Sequence, residues 1–234
     1  MKSSGKFKGL IFDFNGVLLW DDQIQRDSWR AFALQRCQRP LSDDEIDTRI
    51  HGRNGQDTLE YLLGEPIEAE KAAMLMEQKE GIYREMCLNL NGGFKLSPGA
   101  VELLDNLVKH NIPHTIATAS ARKNVDFFVE HLNLGTWFEI EKIVYDDGRI
   151  PGKPAPDLYL AAANNINNPP EDCVVVEDSR SGIQAAHAAS AGWVIALGPE
   201  GHQDTLAKLP GVDQVITNLG ELLCQDLFER VHEC

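Results

Sequence analysis

The sequence predicts an α/β protein: a doubly wound parallel sheet, with an all-helical domain inserted after its first strand. Short apolar segments alternate with helical segments in the second half of the chain, which is typical of parallel strands covered on both faces. The apolar segment KGLIFDF (8–14) has the same character. The roughly seventy residues that follow it have helical periodicity and few strand candidates. We therefore expect a core domain of residues 1–19 and 95–234 and an inserted helical domain of residues 20–94.

The inserted segment has helical patterns from Asp21 to about Leu90, and NGGF (91–94) is typical of a linker back to the core. Ser97 followed by Pro98 is the usual pattern of an N-cap and a first helical residue, so we expect the next helix to begin there. Beyond that point, strands and helices alternate. The predicted strands are 114–120, 140–144, 173–178, 193–197 and 214–217, and the predicted helices are 98–110, 122–132, 155–166, 180–190, 203–208 and 219–231.

Composition and charge exclude several classes of protein. The chain of 234 residues has 22 basic and 36 acidic side chains, and its net charge of −14 with no basic stripe argues against a nucleic-acid partner. No apolar run approaches the roughly 18 residues of a membrane span, and no apolar signal core precedes the first strand. Five scattered cysteines without a CxxC pair favour a reducing compartment. We expect a cytoplasmic protein, a monomer or a weak dimer, that does not bind membranes.

Several predicted strands end on polar side chains. Asp13 follows LIF, Ser120 follows TIATA, and Glu177 with Asp178 follows CVVV. Because ligands bind at the carboxyl ends of strands in open α/β sheets, we expect these groups to converge on one site. Lys153, in the loop sequence PGKPAP, adds a cation. Carboxylate oxygens suit Mg²⁺, and the magnesium with Lys153 would neutralise a phosphoryl group that accepts hydrogen bonds from Ser120. Asp13 could then attack phosphorus and form an aspartyl phosphate.

Each of these features alone has a plainer interpretation. LIFDF-NG-VLLW could form a hairpin with an Asn-Gly turn. Ser120 could be a helix N-cap, Lys153 a solvated loop lysine, and Asp178 the entry to the next helix. The functional interpretation depends on their order and on their shared position at strand ends.

Four segments in order, FDFNGVL, IATAS, GKPAPDLY and VVVEDSRSGI, resemble the motifs of the haloacid dehalogenase (HAD) superfamily. The resemblance is to the helical-cap branch that includes phosphoglycolate phosphatase-like and β-phosphoglucomutase-like enzymes, and it covers essentially the whole chain. It implies a Rossmann-like core with an inserted cap domain. It also implies a Mg²⁺-dependent hydrolase acting on a small phosphorylated metabolite.

The resemblance also implies roles for individual residues. Asp13 would be the nucleophile and a Mg²⁺ ligand, Asn15 would lend its backbone carbonyl to the metal, and Asp178 with Glu177 would anchor the metal. The remaining roles concern the transferred phosphoryl and the substrate. Ser120 and the N–H of Ala121 would hold the phosphoryl group, Lys153 would balance its charge, Asn124 resembles a phosphate-loop residue, and Arg53 is the candidate anion contact on the leaving group.

Asn15 departs from the family pattern, because phosphatases and mutases of this family normally have a second aspartate there as general acid and base. An amide cannot exchange a proton near neutral pH, and general acid–base catalysis typically contributes about 10²–10⁴-fold. We therefore expect a slow phosphatase that reacts through an aspartyl-phosphate intermediate. A β-phosphoglucomutase-like enzyme is an alternative, although Gln25 stands where the mutase-like enzymes have histidine. A catalytically weak protein that binds a phosphometabolite is another.

Two further branches of the family depend on other residues. A phosphonate-cleaving enzyme would need a cap lysine as a Schiff base, but the candidates Lys71 and Lys79 are predicted to be solvated on a charged helix. A dehalogenase would need no Mg²⁺, whereas Glu177 and Asp178 favour the metal-using branch.

Overall fold

The computed structural model describes residues 7–50, 55–201 and 203–228. The chain divides into two compact units, one of residues 1–20 with 95–234 and the other of residues 21–94. We refer to them as the core unit and the helical unit. No helix within the described ranges has the length and apolar character that a membrane crossing requires.

The core unit contains a six-stranded parallel sheet with the order β3-β2-β1-β4-β5-β6. Its strands are β1 (Gly9–Phe12), β2 (His114–Ala121), β3 (Val144–Asp146), β4 (Cys173–Glu177), β5 (Trp193–Leu197) and β6 (Gln214–Ile216). Every residue of β1 and β4 is buried, which explains why β1 and the first four residues of β4 form continuous apolar runs. The predicted α/β fold with a parallel sheet is confirmed.

The strand order reverses at β1, which lies between β2 and β4. Phe12 at the end of β1 is in register with Ile116 of β2 and Val176 of β4. Chain segments that leave β1, β2 and β4 therefore start from the same edge of the sheet. This is the switch point at which doubly wound sheets bind ligands.

The helical unit contains α1 (Asp22–Cys37), α2 (Asp43–Glu45), α3 (Gly55–Leu63) and α4 (Ala69–Leu88), with a π-helical turn at Ile46–Ile50. Their apolar faces form one core. Its members include Phe32 and Ala33 of α1, Leu59 and Leu62 of α3, and Leu75 of α4. The inserted segment is therefore a helical bundle with its own hydrophobic core.

Lys79 of α4 lies inside this unit, so the prediction that it is solvated is wrong. Its side chain is only 2% exposed, whereas that of Lys71 is 49% exposed. The Lys79 ammonium donates to Gln25 Oε1 at 2.6 Å and to Glu80 Oε1 at 3.0 Å, and lies 5.2 Å from the centre of the Trp29 ring. Hydrogen bonds and aromatic faces can stabilise a buried ammonium, but sequence periodicity alone does not reveal them.

The core helices are α5 (Ala100–Lys109), α6 (Arg122–His131), α7 (Asp157–Asn165), α8 (Arg180–Ala188) and α9 (Gln203–Leu206), with 3₁₀ turns at Leu134–Thr136, Ile140–Lys142, Pro170–Asp172 and Leu219–Cys224. Two expectations from the sequence differ from this list. The strand predicted at 140–144 begins only at Val144, because 140–142 form a 3₁₀ turn. The helix predicted at 219–231 is a 3₁₀ turn that ends at Cys224, and residues 229–231 lie outside the described residues.

The start of α5 also differs from the prediction. Gly99 precedes the helix with a left-handed φ of 79°, so Pro98 is not its first residue. The Ser97 hydroxyl donates to the backbone carbonyl of Val17 at 2.7 Å, and the Ser97 N–H donates to Leu18 O at 2.8 Å. Ser97 therefore ties the returning chain to the segment after β1, in place of the predicted N-cap role.

Candidate active site

Asp13 stands directly after β1 and is nearly buried, with 9% of its surface exposed. Its backbone N–H donates to Val176 O of β4 at 3.0 Å, and its Oδ1 accepts from the Phe14 N–H at 2.7 Å. The alternative that LIFDF is one arm of an antiparallel hairpin is wrong, because β1 pairs in parallel with both of its neighbours. The carboxylate is thus held at the switch point of the sheet.

Lys153 brings a cation to this carboxylate. Its Nζ lies 3.0 Å from Asp13 Oδ1 and 2.6 Å from Glu177 Oε1, and its side chain is 5% exposed. The interpretation of Lys153 as a solvated loop lysine is therefore excluded. The loop before α7 carries the lysine from the end of β3 to the ends of β1 and β4, and the ammonium links the two carboxylates.

Glu177, the last residue of β4, is fully buried and accepts hydrogen bonds on both oxygens. The Tyr159 hydroxyl donates to Oε1 at 2.8 Å. Three groups donate to Oε2: the Asp178 N–H at 2.9 Å, the Ser179 N–H at 2.9 Å and the Ser179 hydroxyl at 3.0 Å. Burial alone would raise the pKa of Glu177, but Lys153 and these donors outweigh it and hold the pKa below its usual range. Glu177 is therefore an ionised anchor for Lys153.

Sequence reasoning assigned no role to Tyr159 or to the Ser179 side chain. Tyr159 lies six positions after Lys153 in the segment GKPAPDLY, and it is 1% exposed. The Ser179 hydroxyl donates to Glu177 and accepts from the Gly182 N–H at 3.0 Å, which makes it the N-cap of α8. Both residues were present in the quoted motifs, but only the folded chain shows that they meet at one carboxylate.

The remaining two carboxylates are ionised less easily than Glu177. Burial raises the pKa of Asp13 to about 7, and the Lys153 charge only partly offsets this effect. Burial and then the negative charges of Glu177 and Asp13 raise the pKa of Asp178 well above its usual range. Three acidic groups share one lysine, so ionisation of all three would leave an excess of negative charge.

This donor set fits a divalent cation. One oxygen each of Asp13, Glu177 and Asp178 lies within 4.8 Å of the others. Carboxylate oxygens are the ligands that Mg²⁺ prefers, and a dication would offset the charge excess. Because both Glu177 oxygens already accept hydrogen bonds, Asp13 and Asp178 are the better direct ligands.

Gly16 allows the Asp178 carboxylate to lie close to the turn after β1. A Cβ at position 16 would overlap the Asp178 carboxylate, and the φ of 78° also disfavours any other residue there. The Asn-Gly pair thus serves a close approach between the ends of β1 and β4, and the glycine is required for that packing.

Ser120 and Asn15 are in direct contact. The Ser120 hydroxyl donates to Asn15 Oδ1 at 2.8 Å, and the Ser120 N–H donates to Thr118 Oγ1 at 3.1 Å. Ala121 is the N-cap residue of α6, and Asn124 in the first turn of that helix is 5% exposed. The end of β2 therefore meets the turn after β1 through the side chain of Asn15.

The structure thus brings together most of the residues singled out from the sequence. Lys153 contacts Asp13 and Glu177, an oxygen of Asp178 lies within 4.8 Å of both carboxylates, and Ser120 contacts Asn15. Ala121 and Asn124 lie at the start of helix α6. Arg53 lies outside the described residues. The roles assigned to these residues stay predictions.

A Gly182→Ala substitution is expected to lower the free energy of unfolding by about 1–3 kcal/mol, the usual cost of overpacking. The new Cβ would overlap the Glu177 carboxylate, which five hydrogen bonds from four residues hold in place. Urea unfolding measures the change. Gly81→Ala in α4 is the matched control, because its Cβ would meet only the far end of Arg84 and alanine favours a helix. Equal effects of the two substitutions would contradict the prediction.

The fold and the site define a class of protein: a doubly wound α/β protein with a carboxylate–lysine centre and a helical insertion. Comparison with known proteins agrees. The family model described as haloacid dehalogenase-like hydrolase matches residues 7–190. The chain belongs to the haloacid dehalogenase-like hydrolases, so the predicted family is confirmed.

Individual relatives cover most of the chain. A protein of Drosophila melanogaster named probable pseudouridine-5′-phosphatase is 34% identical over 218 residues, 90% of this chain and 89% of that protein. The β-phosphoglucomutase of Bacillus subtilis is 29% identical and covers 95% of each chain. A HAD hydrolase of family IA, variant 3, from Entamoeba histolytica superposes with a TM-score of 0.89 and is 35% identical; the match covers 94% of this chain and 97% of that one.

Proposed function

We propose that the protein is a Mg²⁺-dependent phosphatase that hydrolyses a small phosphorylated metabolite through an aspartyl phosphate on Asp13. The observation that carries the proposal is the position of the Lys153 ammonium, 3.0 Å from Asp13 and 2.6 Å from Glu177. This arrangement places a buried cation beside a potential nucleophile at the ligand-binding edge of the sheet. The phosphatase names among the relatives support the same reaction class.

The core residues have separate tasks in this reaction. Asp13 attacks phosphorus, and the Lys153 ammonium balances the charge of the phosphoryl oxygens. The Ala121 N–H at the start of α6 donates a hydrogen bond to these oxygens, and the Ser120 hydroxyl donates another after turning from Asn15 Oδ1. Asp13, Asp178 and the Asn15 carbonyl would hold Mg²⁺. When bound, the metal supplies positive charge that orients the phosphoryl group and lowers the repulsion between it and Asp13.

We assign substrate selection to the helical unit, as the cap domain predicted from the sequence, with Arg53 as the candidate contact for an anionic leaving group. Arg53→Ala would then raise KM more than it lowers kcat.

Chelation of Mg²⁺ is expected to abolish phosphate release, and Mg²⁺ in excess of the chelator is expected to restore it. The physical reason is that three carboxylates, those of Asp13, Glu177 and Asp178, share one lysine, so the ionised site would repel an anionic substrate in the absence of a dication. Release of inorganic phosphate from p-nitrophenyl phosphate and a panel of sugar phosphates, before and after dialysis against EDTA, measures it. Turnover that persists unchanged after metal removal would contradict the proposed function.

The same panel tests the alternative of a sugar-phosphate mutase, which the 29% identity to the Bacillus subtilis β-phosphoglucomutase favours. A mutase would isomerise a sugar phosphate with a bisphosphate activator and release little phosphate. Gln25 does not favour that outcome: its amide donates to Asp21 Oδ2 at 3.1 Å and accepts from Lys79 at 2.6 Å, and an amide cannot exchange a proton as the histidine of a mutase would.

A further inference from the structure

The described side chains around Asp13 in the core unit are poor proton donors to a leaving group. Asp178 would carry no proton there, because a carboxylate must be ionised to serve as the proposed Mg²⁺ ligand. The Asn15 amide does not exchange a proton near neutral pH. The Ser120 hydroxyl is a very weak acid, and it already donates a hydrogen bond to Asn15 Oδ1 at 2.8 Å. Both residues therefore stabilise charge only through hydrogen bonds. Neither can convert a departing alkoxide to an alcohol.

Lys153 and Glu177 are equally unsuited to proton transfer. Every contact of Glu177 described above comes from a donor, so its carboxylate accepts hydrogen bonds and carries no proton to give. The Lys153 ammonium is held between two carboxylates at 3.0 and 2.6 Å. Loss of its proton would leave two buried carboxylates close together without a cation, which is costly.

We infer that this site acts on phosphates whose leaving group departs as a stable anion, namely acyl, enol or aryl phosphates, in preference to alkyl phosphates. The inference rests on the proposed function, since it specifies the substrate class of that same site. Carboxylates and phenolates leave readily because their conjugate acids have pKa values of about 4 and about 10, whereas an alkoxide is far more basic and needs a proton in the transition state.

The two steps of the reaction balance without a side-chain acid. In the first, an Asp13 oxygen forms a bond to phosphorus, the bond from phosphorus to the leaving oxygen breaks, and the electron pair departs with the carboxylate, enolate or phenolate. In the second, water attacks phosphorus, the Asp13–phosphorus bond breaks, and a phosphate oxygen takes the proton from water. The leaving group of this second step is the Asp13 carboxylate itself, which needs no proton.

A leaving-group series tests the inference. The substrates are acetyl phosphate, p-nitrophenyl phosphate, phenyl phosphate and glycerol 3-phosphate, each with Mg²⁺ and with subtraction of spontaneous hydrolysis. kcat/KM is measured for the wild type, for Asn15→Asp, and for Asn164→Asp as the matched control. Asn164 is exposed on α7, so this control makes the same chemical change away from the site. Because Asn-Gly pairs deamidate, a peptide map confirms that residue 15 of the wild type is asparagine.

In the wild type, kcat/KM is expected to fall steeply as the leaving group becomes more basic. Asn15→Asp is expected to raise kcat/KM for glycerol 3-phosphate by about 10²–10⁴-fold, the usual contribution of a general acid. Its effect on acetyl phosphate should stay within about tenfold, since that substrate needs no acid. Asn164→Asp should follow the wild type throughout.

Two failures are distinguishable. If the wild type turns over all four substrates with similar kcat/KM, or if Asn15→Asp changes all four by the same factor, the leaving-group inference is overturned while the phosphatase proposal stands. If the wild type turns over none of the substrates and no sugar phosphate, the proposed function itself is overturned. Should Asn15→Asp fail to fold, the dependence of the wild type on the leaving group decides alone.

Discussion

Asp13→Asn is expected to lower kcat for p-nitrophenyl phosphate by at least about 10⁴-fold, because an amide cannot attack phosphorus as a carboxylate does. The substitution preserves the size of the side chain at the end of β1, where the Asp13 carboxylate accepts from Phe14 and Lys153. Lys153 keeps its hydrogen bond to Glu177. A loss of activity would therefore indicate that residue 13 takes part in the reaction, because the fold is expected to be retained.

The measurement has two parts, steady-state release of p-nitrophenolate and mass spectrometry of the protein after rapid acid quenching. The wild type should show a phosphorylated form that Asp13→Asn lacks. Asp126→Asn is the matched control, because Asp126 is 57% exposed and pairs with Arg122 on the surface of α6. A phosphorylated Asp13→Asn protein, or one with the turnover of the control, would show that Asp13 is not the nucleophile.

Lys153→Met is expected to lower kcat/KM by about 10²–10³-fold and the free energy of unfolding by about 3–5 kcal/mol. The kinetic loss follows from removal of the positive charge that faces the phosphoryl group. The loss of stability follows because Asp13 and the fully buried Glu177 would lose the cation between them. Enzyme kinetics and urea unfolding of the same preparations measure the two effects.

Lys8→Met offers a control with the same chemical change. Lys8 pairs with Asp172 at 2.7 Å, but its side chain is 49% exposed, so loss of that pair should cost at most about 1 kcal/mol and leave kcat/KM unchanged. The comparison of the two variants tests whether burial of the ion pair causes the larger loss of stability in Lys153→Met. If the two variants lose equal stability, or if Lys153→Met retains wild-type kcat/KM, the assigned role of Lys153 is wrong.

The fold class could be predicted because its signals are local. Segments such as CVVV and WVIAL are apolar throughout, which is what a strand buried on both faces requires, and each is bounded by turn residues. Their alternation with helical segments implies parallel strands. The placement of Asp13 and Glu177 at strand ends followed from the same patterns, since chain order alone puts them at the end of an apolar run.

Local signals failed where a contact between distant residues decides the structure. Ser97 looked like an N-cap, but its hydroxyl donates to Val17 O, eighty positions earlier in the chain. Lys79 looked like a solvated helix residue, yet Gln25, Glu80 and the Trp29 ring surround its ammonium inside the helical unit. The distant partners, Val17 for Ser97 and Gln25 with Trp29 for Lys79, have no signature in the neighbouring sequence.

By itself, the sequence determined that this protein is a doubly wound α/β hydrolase of the haloacid dehalogenase-like family with acidic residues at its strand ends, because periodicity and motif order are properties of short segments. Only the tertiary structure decided how those acidic residues differ in burial, charge and hydrogen bonding. It makes Glu177 the buried anchor of Lys153 through Tyr159 and Ser179, and it pairs Asn15 with Ser120. Charge, burial and hydrogen bonding at one carboxylate depend on residues brought together from several strands and loops, which is why they follow from the folded chain alone.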